Sequence, residues 1–129
     1  MNYTTKQLEG MVKKKYPYVY RNNRGSVIKN YVSASGKKST RKISFGIPEP
    51  RANETDDDFK GGDFIGFYLD EDLGLSIFTN IEIKGPGDKI KDGQVRWHNF
   101  IINAGGISEI WKSDGTIIEW VTTKEEVNR

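Results

Sequence analysis

The segment Asn80-Ile81-Glu82-Ile83-Lys84 holds the residue types best suited to chemistry in this chain. It follows Leu75-Ser76-Ile77-Phe78-Thr79, whose composition predicts a strand, and Gly85-Pro86-Gly87 ends it. Side chains two apart on a strand share a face. Glu82 and Lys84 are therefore expected to project together beside a turn, with Ile83 turned the other way into the core. A carboxylate and an ammonium on one rigid edge could hold a divalent cation and a reacting phosphate. A second acid is needed, and Asp63, in Gly61-Gly62-Asp63-Phe64-Ile65-Gly66, is the best placed to supply it at the opening of the preceding strand.

The elements that must position these groups follow in order. Thr4-Thr5-Lys6-Gln7 has the form of a capping box, and Leu8, Met11 and Val12 make one apolar stripe of the helix it opens. Lys13, Lys14 and Lys15 fall in the last turn, where cations suit the helix dipole, and Pro17 closes the helix. Glu9 lies off the stripe, over the mouth of a site or facing water. The aromatic alternation from Tyr16 to Arg21 predicts a strand, with Asn22-Asn23-Arg24-Gly25 as a turn. Val27 to Val32 and Arg41 to Phe45 are expected as strands joined by the basic stretch from Ser33 to Thr40. Such a loop suits a phosphate backbone and bulk water equally.

From Ile47 to Lys60, two prolines and Asp56-Asp57-Asp58 leave no periodicity and predict a mobile loop. Adjacent aspartates in a loop rarely converge on one ion, so solvated charge is the expectation there. Asp63 to Leu69 reads as a strand, Asp70-Glu71-Asp72-Leu73-Gly74 as its turn, and Leu75 to Lys84 as its partner. A helix from Lys91 or Asp92 to about Ala104 stops at Gly105-Gly106. Val95, His98, Ile101 and Ile102 form its stripe, widened by Trp97 and Phe100. His98, the sole histidine, is expected to be packed rather than catalytic. Ile107 to Trp111, a turn at Ser113-Asp114-Gly115-Thr116, and Ile117 to Val121 complete the sheet. Thr122 to Arg129 is a short charged helix or a frayed end.

A length of 129 residues suits one domain, residues 1–129, with a modest core of a sheet and a few helices. No apolar run approaches a membrane span, and Met-Asn-Tyr-Thr-Thr is not the start of a signal peptide. The lack of cysteine excludes a disulfide framework and thiolate metal sites, and fits a reducing cytoplasm. The net charge of +2 hides a split. Through Asn53, twelve Lys/Arg face two Glu for a net +10, so the remainder carries −8. This suggests a basic surface for a polyanion beside an acidic region that binds cations; ordinary solvated charge is the plainer alternative.

Strand, Asp, hairpin, Glu-x-Lys, helix and strand in this order resemble the PD-(D/E)XK nuclease core, and within it the VRR-NUC (virus-type replication-repair nuclease) family. The resemblance rests on Gly62-Asp63-Phe64-Ile65-Gly66, Ile81-Glu82-Ile83-Lys84, Gly93-Gln94 with Trp97 one turn on, and Ala104-Gly105-Gly106. It covers Gly61 to Trp111, while Arg21 to Gly25 and Lys42 to Gly46 are similar to the family's upstream strand and turn. It implies an α/β fold, a mixed central sheet flanked by helices, with a metal-dependent site at one sheet edge. Asp63, Glu82 and the Ile83 backbone carbonyl would ligate Mg²⁺ or Mn²⁺, and Glu9 matches a helix glutamate that some members use through water. Lys84 would orient or deprotonate the attacking water, and Gln94 would support the site.

The implied function is hydrolysis of phosphodiester bonds in DNA. Isolated domains of this size resemble phage-borne enzymes that act as homodimers on branched, Holliday-junction-like DNA. Duplex or flap DNA is the second substrate, and a catalytically silent DNA-binding or assembly module on the same fold is the alternative. Lys37, Lys38, Arg41, Arg21 and Arg24 are the expected DNA contacts.

Overall fold

Thr4 sets the first helix. Its Oγ1 accepts the Gln7 N–H at 3.1 Å while Gln7 Oε1 accepts the Thr4 N–H at 2.8 Å, closing the capping box. The helix α1 (Thr5–Lys15) runs to the three lysines and stops where the Tyr16 N–H meets the Val12 carbonyl. Because Tyr16 serves as this cap and Pro17 has no N–H to offer, the first strand starts later than the aromatic pattern suggests, at Val19. The computed structural model describes residues 2–22, 25–45, 61–121 and 123–129. The expected 47–60 loop lies outside them.

The remaining elements are β1 (Val19–Arg21), β2 (Gly25–Val32), β3 (Lys38–Phe45), β4 (Phe64–Asp70), β5 (Leu75–Lys84), α2 (Asp92–Asn103), β6 (Ile107–Lys112), β7 (Ile117–Ile118) and α3 (Lys124–Asn128). A five-stranded sheet has the order β1-β4-β5-β6-β7, and β2 and β3 pair only with each other. Within the large sheet β4 is antiparallel to both β1 and β5, β6 runs parallel to β5, and β7 returns antiparallel. A parallel neighbour requires a long crossover, and α2 is that crossover. The sheet is therefore mixed and flanked by helices, as expected.

Alternation along β5 divides the core. Ile81 and Ile83 face α1, where Leu8, Val12, Tyr16, Val19, Phe64 and Trp111 complete a buried cluster. On the opposite face, Ile90, Val95, Ile110, Val121 and Val127 form a second cluster beneath α2 and α3. Ile81 and Ile110 are 0 % exposed, and each such burial contributes about 2 kcal/mol. Asn80, Glu82 and Lys84 share the α2 face of β5.

The hairpin strands start earlier than expected, β2 at Gly25 and β3 at Lys38, which shortens the basic loop between them. In the large sheet, Asp63 lies one residue before β4, and β7 ends at Ile118 instead of Val121. The early end of β7 has a clear cause: the Glu119 carbonyl is taken by His98 Nε2 and the Val121 carbonyl by Asn99 Nδ2, so helix side chains replace a sheet ladder. Among the described residues, no helix is long and apolar enough to cross a membrane.

Candidate active site

The register Phe64↔Ile81 fixes β4 against β5, and one further step sets Asp63 opposite Glu82. Both line one cleft of about 220 Å³ together with Ile83, Asp88, Lys89, Ile90 and Gln94. Asp63 is held from both sides. Its Oδ2 accepts the Ile83 N–H at 2.7 Å, and its backbone carbonyl accepts the Asn22 N–H at 2.8 Å. Within a strand the N–H and C=O of one residue face the same edge, so the Ile83 carbonyl is turned toward Asp63 as well.

Glu82 is only 5 % exposed. Gln94 Nε2 donates to its Oε1 at 2.8 Å, while Gln94 Oε1 accepts the Lys91 N–H at 2.8 Å. One amide thus closes the first turn of α2 and fixes the carboxylate. Two acids facing each other across a strand pair repel, and burial sharpens that repulsion unless a proton or a cation is shared.

The approach of Gly62 explains how close the two strands come. Its N–H donates to Asn80 Oδ1 at 2.9 Å, and its carbonyl accepts from Asn22 Nδ2 at 3.1 Å. A Cβ at this position would sit 2.5 Å from Asn80 Oδ1 and 2.8 Å from the Ile81 carbonyl, so only glycine fits. Asn80, 1 % exposed, also accepts from Trp97 Nε1 at 2.9 Å and donates to Ser108 Oγ at 2.9 Å. The chain continues through the 2.7 Å contact of Ser108 Oγ with His98 Nδ1 to the bond between His98 Nε2 and the Glu119 carbonyl. That carbonyl can only accept, which assigns the proton to Nε2 and makes Nδ1 the acceptor of the Ser108 hydroxyl. Burial holds the His98 pKa below its ordinary value, only partly offset by the Glu119 carbonyl and the Glu109 charge. His98 is packed, as expected, and its bonds fit a neutral ring.

The other expected residues are placed unequally. Lys84 stands on the Glu82 face, half-buried, two residues beyond it and outside the seven residues that line the cleft. Its ammonium has no hydrogen-bond or ion-pair partner among the described residues. Glu9 and Arg21 are brought to each other, 2.7 Å apart, with the guanidinium 5.5 Å over the Phe64 ring. Neither lines the cleft. Lys37 and Lys38 are exposed on the β2–β3 hairpin. Arg24 and the Arg41 side chain lie outside the described residues.

Asp88, Lys89 and Ile90 line the cleft without having been expected there, and Asn80 supports it through its bond to Gly62. Asp88 closes its own turn by accepting the Gly85 N–H at 3.1 Å while lining the cleft, a role that an ordinary turn sequence hides. The signal for Asn80 was a carboxamide within an apolar strand.

Among the described residues no three His, Cys, Asp or Glu side chains form a metal-holding group. The expected donors are the Asp63 and Glu82 carboxylates and the Ile83 backbone carbonyl, with Asp88, tied to its own turn, as a third carboxylate in the cleft lining. These hard oxygens fit Mg²⁺ or Mn²⁺, which retain waters, and do not suit a softer ion.

Comparison of the chain with known protein families, curated proteins and solved structures finds no match. The functional reading therefore rests on these residues and their geometry.

Proposed function

We propose that this chain is a Mg²⁺- or Mn²⁺-dependent deoxyribonuclease with a PD-(D/E)XK core of the VRR-NUC kind, acting on branched DNA in the cytoplasm. The observation that carries the reading is the opposition of Asp63 and Glu82 across β4 and β5 in one cleft, with Lys84 on the same face. The sequence β4–β5–α2–β6, with β6 parallel to β5, supports it further.

Asp63, Glu82 and the Ile83 carbonyl would hold the cation. When bound, it supplies positive charge that acidifies water and offsets the charge of the phosphate. Lys84 would orient the attacking water and stabilise charge developing on the phosphoryl oxygens. Gln94 holds Glu82 in place, and the Ile83 N–H does the same for Asp63. By the same resemblance, a two-fold dimer would set two such clefts across the strands of a junction.

The test is incubation of branched and linear DNA with Mg²⁺, Mn²⁺ or EDTA. Cleavage is expected with either ion and none with EDTA. Activity that persists in Glu82→Ala and Lys84→Ala would place the chemistry elsewhere and end this reading. The position of Lys84 outside the cleft lining favours, as a second reading, a module that binds DNA without cutting it. Binding without cleavage under every metal condition would select that one.

A further inference from the structure

The α2 face of the sheet carries a row of aromatic rings that the cleft chemistry does not use. Tyr18 and Phe67 stack across β1 and β4 at 5.1 Å with ring planes 4° apart. Phe67 pairs with Phe78 on β5. Phe78 meets Trp97 edge-on at 6.4 Å, and Trp97 stacks on Phe100 at 6.1 Å. These ring contacts, joined by the cross-strand pairing of Phe67 with Phe78, set the side chains in one band from the edge strand to α2. Tyr20 lies beside it, two residues beyond Tyr18 on β1. Tyr18, Tyr20, Phe67, Phe78 and Phe100 remain between 37 % and 60 % exposed, although apolar surface is normally covered.

Phe78 and Glu82 are four residues apart on one strand, hence on one face and about 13 Å apart along it. The band and the cleft thus lie along the same face of the sheet, with Asn80 buried under Trp97 between them. Cations stand at both ends. Lys13 Nζ lies 4.6 Å over the Tyr20 ring, held there by the carbonyls of Pro17 and Val19. Arg96 is exposed one helical turn from Phe100, with no ion-pair partner among the described residues.

We propose that this band is a stacking platform for unpaired bases of the strand whose phosphate enters the cleft. The proposal rests on the nuclease reading and adds a substrate feature to it: single-stranded character beside the scissile bond. Exposed rings flanked by cations match what an unpaired strand presents, a series of flat bases joined by phosphates. A fully paired duplex keeps its base faces stacked inside the helix and cannot use the platform. A second copy of the chain fits less well, because two-fold pairing of the band would bring its cationic ends together.

The experiment uses the full chain in EDTA, so that no cleavage intervenes, with labelled oligothymidylate and a paired duplex of equal length read by fluorescence anisotropy. Phe67→Leu and Tyr18→Leu keep apolar cover while removing the rings. Each is expected to weaken oligothymidylate binding about tenfold while leaving duplex binding within about twofold. Quenching of tryptophan emission by bound oligothymidylate should fall in parallel. Unchanged oligothymidylate affinity, or equal weakening on duplex, would overturn the platform. So would sedimentation showing that Phe67→Leu merely splits a dimer without altering strand affinity. Failure to cleave in Mg²⁺ would remove the nuclease reading, and the EDTA binding result would still decide the platform.

Discussion

Asp63 Oδ2 accepts the Ile83 N–H at 2.7 Å, so the first acid is fastened to the strand that carries the second. This bond continues the β4–β5 ladder through a side chain where the backbone ladder has ended. It also turns the carboxylate toward the edge on which the Ile83 carbonyl lies. Replacing Asp63 should therefore affect both the fold and the proposed cation site, and the two effects can be separated.

Asp63→Asn keeps an oxygen for the Ile83 N–H and loses the charge. Its metal-free stability should stay within about 1 kcal/mol of the parent, whereas Asp63→Ala should lose about 2 kcal/mol by leaving that N–H unsatisfied. The parent is expected to melt higher in millimolar Mg²⁺ or Mn²⁺, and both variants should lack that rise. Denaturant curves and thermal melts with and without metal check this; a parent indifferent to metal would argue against the cation site.

Gln94→Ala removes the bond to Glu82 and the one from the Lys91 N–H at once. Loss of the N-terminal closure of α2 should cost about 1 kcal/mol. Freeing Glu82 should weaken metal affinity or cleavage by about 10- to 100-fold, as for other side chains that orient a ligand. Metal titration of activity gives the comparison, and an unaltered metal dependence would show that Gln94 only closes the helix.

Gly62→Ala forces a methyl group against Asn80 Oδ1 and the Ile81 carbonyl. Neither can move far, since Asn80 is bonded to Trp97 and Ser108 and the carbonyl belongs to a central strand. The expected loss is about 2 kcal/mol, with a fall in cleavage larger than the stability change explains, because the strain lies next to Asp63. Activity measured well below the melting temperature separates the two.

His98 gives a pH signature. Its folded-state pKa lies below 6.5 because burial disfavours the charged ring, so between 6.5 and the folded value the unfolded chain binds the proton and the native chain does not. The His98 contribution to stability should be complete above 6.5 and fall as the pH drops through that window, by up to about 1.4 kcal/mol per pH unit. His98→Gln should abolish this part of the slope. An identical pH dependence of unfolding in the variant would contradict the neutral relay from Asn80 to Glu119.

Lys37 and Lys38 stand exposed on the hairpin between β2 and β3. Their joint replacement by Gln should weaken DNA binding and lower the slope of log affinity against log salt by up to about 2. A slope equal to the parent's would remove the hairpin from the DNA interface.

Local sequence was sufficient wherever a single segment decides its own structure. The Thr4–Gln7 capping box, the full span of β5, the glycine stop after α2 and the sharing of one face by Glu82 and Lys84 all depend on near neighbours and strand periodicity. The β4–β5 hairpin that brings Asp63 near Glu82 was legible in the same way. Tertiary structure alone decided that β1 and β6 flank this hairpin, that Asn80 ties Gly62 to Trp97 and Ser108, and that Glu9 is occupied by Arg21. It also decided that β7 stops early and that rings from β1, β4, β5 and α2 meet in one band. The reason is physical: periodicity says which way a side chain points, but the register between distant strands and the side-chain bonds across them are settled only when the whole sheet closes on its helices.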